Sequence, residues 1–263
     1  MRSRDVRIGA AICAHNEEPY IRYCLQAIYD FADVILVNVN TGVPWGGKAE
    51  PLDRTLELVR TFPDPAGKLK VTAGEWESEM GQRAGTMDVL RPHVNYFMTL
   101  DADEIYSEAD LIRLRDYICR RPYIGQFRLR LKTYWKMNPM YVIDPPEPMR
   151  QYVISRLRPS TRLISLRRTN EFWRATVPTN VAVMHHHSYA RTDERIRQKL
   201  ANTLHRFELV ENWYENVWKK WDEDHDLQDL HPTHPEEYKR AIPADVNSMP
   251  EVMRGHPFVN SIG

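Results

Sequence analysis

The stretch that decides the fold is Tyr96-Phe97-Met98-Thr99-Leu100-Asp101-Ala102-Asp103-Glu104-Ile105-Tyr106, an apolar run that ends in three carboxylates. Its first five residues have the apolar, β-prone character of a buried strand. In an extended chain residues i and i+2 point the same way, so Asp101 and Asp103 can aim their oxygens at one hard cation. The alternative is a solvated acidic turn after an edge strand, because an Asp-x-Asp pair is common by itself.

Strand and helix patterns alternate through the first hundred residues. We predict strands at 6–14, 33–40, 69–73 and 96–100, and helices at 19–28, 52–62 and 78–90. This alternation predicts an α/β fold, in which helices flank a mostly parallel sheet. Such sheets bind their ligands at the carboxyl ends of the strands, which is where Asp101 stands.

The second half of the chain has a different pattern. Short β-type runs interrupted by prolines predict a small antiparallel extension after an amphipathic helix at 108–119. The expected strands of this extension are 126–135, 150–157, 161–166 and 180–184. A long helix is expected at 192–221, and the polar tail after it is expected to wrap loosely over the body.

Length and composition are those of an ordinary soluble globular protein. The chain has 263 residues, of which 42% are hydrophobic and 27% charged. It contains no run of about 18 apolar residues that would cross a membrane, and its first residues lack the apolar core of a signal peptide. Three cysteines without metal-type pairing indicate reduced thiols and predict a cytoplasmic location.

The charges are unevenly distributed although the net charge is zero. Residues 113–174 contain 15 Lys and Arg against 4 Asp and Glu, in a chain with 36 residues of each sign. This asymmetry suggests an anionic partner for the middle of the chain. The alternative is a sheet face that is salt-bridged to acidic helices.

Five motifs, in order along the chain, resemble those of the family 2 glycosyltransferases, which have the GT-A fold. The resemblance extends from about Ile8 to Arg191 and rests on residues 11–21, 31–42, 81–86, 100–104 and 185–191. It implies an inverting, metal-dependent glycosyltransferase that uses a nucleotide sugar. UDP is the expected nucleotide, and Mn²⁺ or Mg²⁺ is the expected ion.

The resemblance also implies site residues. Those expected at the nucleotide sugar are Ala14, His15, Asn16, Glu17, Asn40, Arg83, Asp101 and Arg191. The expected metal ligands are Asp103, Asp101, His185 and His187, since the two histidines share one side of an extended strand. The family has an Asp where this chain has Asn40, whose amide oxygen still accepts a hydrogen bond from a base N–H.

The remaining roles concern proton transfer and the leaving group. Glu171 precedes the histidine run at a spacing that fits the family's order and is the predicted catalytic base. Arg191 and Lys199 can meet the departing diphosphate, with solvated helix charges as the alternative. We expect the nucleotide-sugar-binding half at 1–106, the acceptor-binding half at 107–191, and a C-terminal helix and tail at 192–263.

The sequence leaves alternatives open for the acceptor and for the class of activity. An anionic acceptor is either a glycan or lipid-linked intermediate at a membrane surface or a hydroxylated base in modified, phage-type DNA. A non-catalytic binding module for nucleotide sugar or nucleic acid is the alternative to an enzyme, and the intact pair of Asp101 and Asp103 argues against it. A nucleotidyltransferase would have a Gly-rich, basic turn after the first strand, which residues 15–18 do not provide.

Overall fold

Four parallel strands form the first half of the sheet in the computed structural model, which describes residues 6–43, 47–203 and 207–259. Their spatial order is β3-β2-β1-β4. The strands are β1 (Ile8–Ala14), β2 (Val34–Asn40), β3 (Leu69–Gly74) and β4 (Tyr96–Asp101). All four predicted strands are therefore present, within two residues of the expected ends.

Helices cover both faces of this half. They are α1 (Ile21–Ile28), α2 (Thr55–Arg60), α3 (Glu79–Leu90) and α4 (Glu108–Cys119). Alternate side chains of β1 point to opposite faces of the sheet. Ile12 belongs to the core that includes α1 and α4, whereas Ala11 packs with Met87 and Leu90 of α3. The predicted fold class, an α/β fold with helices flanking a mostly parallel sheet, is confirmed.

The second half extends the same sheet with mostly antiparallel strands. They are β5 (Glu104–Ile105), β6 (Gln126–Trp135), β7 (Tyr141–Asp144), β8 (Arg150–Arg156), β9 (Arg174–Thr176), β10 (Met184–Tyr189) and β11 (Arg240–Pro243). β8 lies antiparallel between β4 and β6, and β10 lies parallel to β6 and antiparallel to β5. This arrangement places β10 directly beside the residues that follow β4.

Three expectations for the second half were wrong. Residues 161–166 form a loop closed by one bridge between Leu163 and Thr169, because the segment pairs with itself. The strand expected at 180–184 begins only at Met184 and continues through the histidines. The long helix ends early, giving α5 (Asp193–Asn202), a π-helical turn (Tyr214–Trp218) and α6 (Lys219–Glu223), and residues 204–206 lie outside the described part.

The C-terminal segment packs tightly, contrary to the loose tail that was expected. Trp218 and Trp221 are fully buried against Trp135 of β6, and β11 pairs with β7. Short 3-10 turns at Pro235–Glu237, Val246–Ser248 and Glu251–Met253 complete it. The boundary expected between residues 191 and 192 stays a prediction. The segment after it shares a hydrophobic core with the sheet. Within the described residues, no helix has the length and apolar character needed to cross a membrane.

Candidate active site

A cavity of about 360 Å³ lies at the carboxyl ends of β1 and β4. β1 and the turn after it form one wall, and the end of β4, β10 and α5 form the other. Its charged and titratable lining residues are Cys13, His15, Glu17, Glu50, Glu79, Arg83, Asp101, Asp103, His186, Arg191, Arg195 and Lys199. The cavity is therefore at the edge of the sheet where the sequence predicts ligand binding.

Asp101 is held between two guanidinium groups. Arg83 donates to Oδ1 and Arg167 donates to Oδ2, each at 2.5 Å. Loss of water contact alone would raise the pKa of Asp101, but Arg167 and Arg83 outweigh this and hold the pKa well below its ordinary value. Both carboxylate oxygens are thus engaged with arginine, although the side chain is 37% exposed.

Arg167 also binds a second carboxylate, that of Glu104. It donates to both oxygens of the buried Glu104, at 3.0 and 2.6 Å. Burial raises the pKa of Glu104 to about 7, even though Arg167 opposes this increase. The long loop between β8 and β9 therefore supplies a central side chain of the site, which the sequence analysis did not identify.

Asp103 has one oxygen that is held by arginine and one that is not. Arg191 donates to Oδ2 at 2.7 Å and also binds Glu17, at 2.9 and 3.0 Å. The Oδ1 atom faces Nε2 of His186 at 3.9 Å. Burial opposes the ionisation of Asp103, but Arg191, His186 and Lys199 lower its pKa to about 2, so the group is ionised at neutral pH.

The histidine run alternates across β10 as expected, but the phase is opposite to the one proposed. His186 lines the cavity, whereas His185 accepts or donates a 2.9 Å hydrogen bond with the Tyr134 hydroxyl. His187 is fully buried, with its ring stacked on that of Tyr134. β10 pairs with β5 through His186 and Glu104, and this register turns His186 toward Asp103. The assignment of His185 and His187 as metal ligands does not fit this placement.

Asp103 and His186 fit a shared divalent cation. Burial lowers the pKa of His186 to about 4, so the ring is neutral and able to act as a ligand. Asp103 Oδ1 and His186 Nε2, a carboxylate oxygen and a neutral ring nitrogen, lie 3.9 Å apart and are the atoms that would hold the ion. Asp101 does not fit as a ligand, because both of its oxygens bind arginine. Among the described residues no three His, Cys, Asp or Glu side chains converge, so substrate and water would supply the other ligands.

Three cations line the side of the cavity formed by β10 and α5. Arg191 precedes the helix, and Arg195 and Lys199 follow at spacings of four residues, which places the latter two on one helical face. Arg195 donates to the carbonyl of Asn16, and Lys199 donates to the carbonyl of Ser188 at 3.2 Å. Burial, with Arg191 as the next cause, lowers the pKa of Lys199 to about 8. The sequence analysis missed Arg195, although this spacing could have indicated it.

The last residue of β1, Ala14, and the turn after it, with His15 and Glu17, line the cavity. His15 is hydrogen bonded to Glu50 at 3.0 Å and to the Asn40 carbonyl at 2.9 Å. Two predicted residues shape the turns instead of lining the cavity. Asn16 has φ +51° and accepts from the Asp53 N–H at 2.9 Å, and the Asn40 side chain accepts from the Gly42 N–H at 3.0 Å. Glu50 therefore occupies the cavity wall where Asn40 was expected.

Glu171 lies outside the cavity. It is buried, accepts from the Thr161 hydroxyl at 2.5 Å and lies 3.4 Å from Arg158. Its own carbonyl accepts from Gln126 at the first residue of β6. β8 pairs with both β6 and β4, and it aligns the first residue of β6 with the second residue of β4. Glu171 is therefore near the opposite edge of the sheet from Asp101, which is the last residue of β4. The prediction that Glu171 is the base does not fit this position.

A second cavity of about 150 Å³ adjoins the first. The two share Lys199 and Thr203 as lining residues. The remainder of its lining is mainly apolar and comes from the end of β10, α5 and the C-terminal segment: Tyr189, Ile196, Leu200, Leu209, His231, Pro232 and Thr233. The C-terminal segment therefore forms part of a cavity next to the charged one.

Solved structures similar to this chain include S. aureus TarS 1-349 in complex with UDP-GlcNAc, at 17% identity over 49% of this chain and 35% of that one, with a TM-score of 0.38. TarS 1-349 alone matches at 12% identity over 70% and 61%, with a TM-score of 0.42. The 4-diphosphocytidyl-2C-methyl-D-erythritol synthase of Anaerococcus prevotii matches at 13% identity over 75% and 95%, with a TM-score of 0.39.

This chain spans only 36% and 35% of the TarS structures that contain UDP and UDP-GlcNAc. No family model matches the chain, and no curated protein matches it.

Proposed function

We propose that the chain is an inverting, metal-dependent glycosyltransferase that moves a sugar from a UDP-sugar to a hydroxyl acceptor. The observation on which this rests is the divided role of Asp103. One of its oxygens faces the neutral His186, and the other binds Arg191 in a cavity that also contains Arg195 and Lys199. A pair of ion ligands next to a row of cations suits a diphosphate.

The donor's diphosphate is assigned to Arg191, Arg195 and Lys199. These side chains neutralise the negative charge that grows on the diphosphate as it leaves, and they are already oriented by Asp103, Asn16 and Ser188. A Mn²⁺ or Mg²⁺ ion held by Asp103 and His186 would act as a Lewis acid on the same oxygens. Asp101, fixed by two arginines, maintains the shape and charge of the wall.

The nucleoside is assigned to the end of the cavity at β1 and β2. His15 and Glu50 form a hydrogen-bonded pair there, and the Glu50 carboxylate can accept from a base N–H as the Asp of the resembled family would. Uridine, whose ring carries such an N–H, is therefore the proposed base. This assignment replaces the one made to Asn40.

The acceptor is assigned to the adjoining cavity formed with the C-terminal segment. Its opening at Lys199 would bring an acceptor hydroxyl close to the sugar attached to the diphosphate. Proton acceptance then belongs to a carboxylate of the cavity, which is lined by Glu17, Glu50 and Glu79 besides the two aspartates. An anionic acceptor, whether glycan-linked, lipid-linked or nucleic acid, stays a prediction, and so does the cytoplasmic location.

The test is hydrolysis of a panel of nucleotide sugars without acceptor, with and without Mn²⁺. Metal-dependent release of UDP from one donor, lost in Asp103→Asn but retained in the surface control Asp116→Asn, is the expected result. Binding of a nucleotide sugar without turnover in the presence of any acceptor would instead favour a binding module. Pyrophosphate exchange into a nucleotide sugar would favour a nucleotidyltransferase.

The two histidines provide a sharper test of the ion site. We expect His186→Ala to raise the Mn²⁺ concentration needed for half-maximal UDP·Mn²⁺ binding by about tenfold or more, judged by paramagnetic resonance of free Mn²⁺. His185→Gln, one residue away and hydrogen bonded to Tyr134, is the matched control and should leave it unchanged. The opposite ranking of the two variants would contradict the assignment.

A further inference from the structure

Three large aromatic side chains are exposed together at the edge of the sheet opposite the cavity. Phe172 is 79% exposed, Trp173 72% and Tyr123 63%. The N–H groups of Gly125 and Gln126 both donate to the carbonyl of Trp173, at 2.8 and 3.1 Å. These bonds place residues 123–125 alongside 171–173, and we call these two segments with their three exposed rings the aromatic edge.

The backbone of the aromatic edge is held firmly although its rings are in solvent. Trp173 has φ +56°, a left-handed conformation that costs a bulky residue about 1–3 kcal/mol. Gly125 is required opposite it, because a Cβ there would lie 2.2 Å from the carbonyl oxygen of Phe172. Glu171 anchors the turn from below through Thr161. The fold thus maintains a strained turn whose aromatic side chains contribute little to its own core.

Positive charge surrounds the aromatic edge. Arg174 follows Trp173 and is exposed, and the Arg158 side chain is 50% exposed. On the other side of the edge, Arg156 donates to the carbonyl of Pro122, next to Tyr123, at 2.7 Å. In the part of the chain that the structure describes, Arg156 and Arg174 form no ion pair.

The acidic residues of the same segment do not offset this charge. Asp116 and Asp144 are occupied by Arg120 and Arg240, at 2.9 and 2.6 Å. Glu147 and Glu171 are buried. Other basic residues of 113–174, such as Arg115 and Lys136, are salt-bridged to Asp33 and Asp222, so the unpaired positive charge of the segment includes Arg156 and Arg174 at this edge.

We propose that the aromatic edge docks on a lipid bilayer that contains anionic lipids. Phe172, Trp173 and Tyr123 enter the headgroup region, where amphipathic aromatic rings are favoured, and the surrounding arginines contact lipid phosphates. This contact accounts for exposed rings on a strained turn, because insertion removes their apolar area from water.

A single-stranded nucleic acid fits the same surface less well. In one common RNA-binding module, the RRM, the aromatic residues that stack on bases lie on a four-stranded sheet. The aromatic residue on the basic sheet face here is Tyr152, and the guanidinium of Arg128 lies over its ring at 5.6 Å from the centroid. The uncovered rings are instead at a turn on the edge, which suits insertion into an interface.

Docking at this edge leaves the cavity accessible. Gln126, beside the aromatic edge, lies opposite Ser155, which in turn lies opposite Phe97 of β4. Asp101 is four residues further along β4, or about 13 Å at the rise of an extended strand. Membrane docking therefore does not depend on the proposed glycosyl transfer. A negative result for nucleotide-sugar hydrolysis would leave vesicle binding unaffected, and the reverse also holds.

The test is cosedimentation of the full chain with vesicles of phosphatidylcholine alone or with about 30% phosphatidylglycerol. We expect binding to the anionic vesicles, weakened by salt. The double variant Phe172→Ser/Trp173→Asn should reduce partitioning by about tenfold or more, and Arg174→Glu should reduce it to a lesser degree. Ile112→Ser, which removes a 65% exposed apolar side chain from α4, should change nothing.

Folding of the variants is checked by thermal unfolding. Asn tolerates the left-handed conformation better than Trp, so the double variant should unfold at or above the wild-type temperature. Equal partitioning of the double variant and the wild type, or no vesicle binding at all, would overturn the proposal. Binding of a short single-stranded oligonucleotide that is lost in the double variant, without vesicle binding, would assign the edge to nucleic acid and overturn it as well.

Discussion

Asp101 is the last residue of β4 and Asp103 lies in the turn after it, and their surroundings differ. Asp101 binds Arg83 and Arg167 with both oxygens, so its charge is already matched. Asp103 binds Arg191 with one oxygen and presents the other to His186. Replacing Asp103 should therefore weaken ion binding, whereas replacing Asp101 should displace Arg83 and Arg167.

Under the proposed function, Lys199 should make the affinity for UDP depend on pH. Its ammonium group, whose pKa is lowered to about 8, faces Arg191, Asp103, Glu17 and Asp101 across the cavity. The protonated form attracts the diphosphate, so UDP affinity should fall as pH rises through about 8, by roughly tenfold for a charge-assisted hydrogen bond. Calorimetric titration between neutral and alkaline pH measures this, and Lys199→Met should bind weakly with a flatter profile. An unchanged slope in Lys199→Met would assign the dependence to another group.

At the scale of the element, the start of α5 determines where Arg195 and Lys199 lie. Thr192 caps this helix by accepting from the Arg195 N–H at 3.3 Å, and Ser107 caps α4 in the same way through Asp110. Thr192→Ala and Ser107→Ala should each lower the free energy of unfolding by about 1 kcal/mol. Only Thr192→Ala should also weaken UDP binding, by a few-fold, because α4 does not reach the cavity.

Urea unfolding and UDP titration on the two variants test this expectation. Equal UDP affinity in both variants would show that the position of α5 is maintained by its packing rather than by its cap. A loss of UDP binding in Ser107→Ala would contradict the assignment of the cavity to α5.

At the scale of the whole molecule, the C-terminal segment and the sheet share one core. Trp218 packs on Trp135 of β6, with 4.9 Å between ring centroids, and the ammonium of Lys136 lies 3.6 Å above its ring. Trp218→Ala should therefore lower the free energy of unfolding by about 3–5 kcal/mol, in contrast to the exposed neighbour Lys219→Ala. Circular dichroism and tryptophan fluorescence should give coincident transitions in wild type. Two separate transitions would indicate that the segment from residue 192 is an independent unit.

The sequence by itself determined the elements of the parallel half and the edge of the sheet where the cavity lies. Continuous apolar strands, helical spacing and polar residues at strand ends are local properties, because each depends on neighbours within a few residues. Asp101 and Asp103 line the cavity because they follow directly on a buried strand. His15, Glu17, Arg83 and Arg191, which the family resemblance implied, line it as well.

The tertiary structure alone decided which distant side chains meet. Arg167 reaches Asp101 from a loop 66 residues away, and the register of β10 on β5 selects His186 over its neighbours. Glu171 moves to the opposite edge because its loop pairs with the start of β6. A strand's alternation is visible in sequence, but its phase relative to another strand depends on hydrogen-bond register, and a one-residue change in register exchanges the two faces.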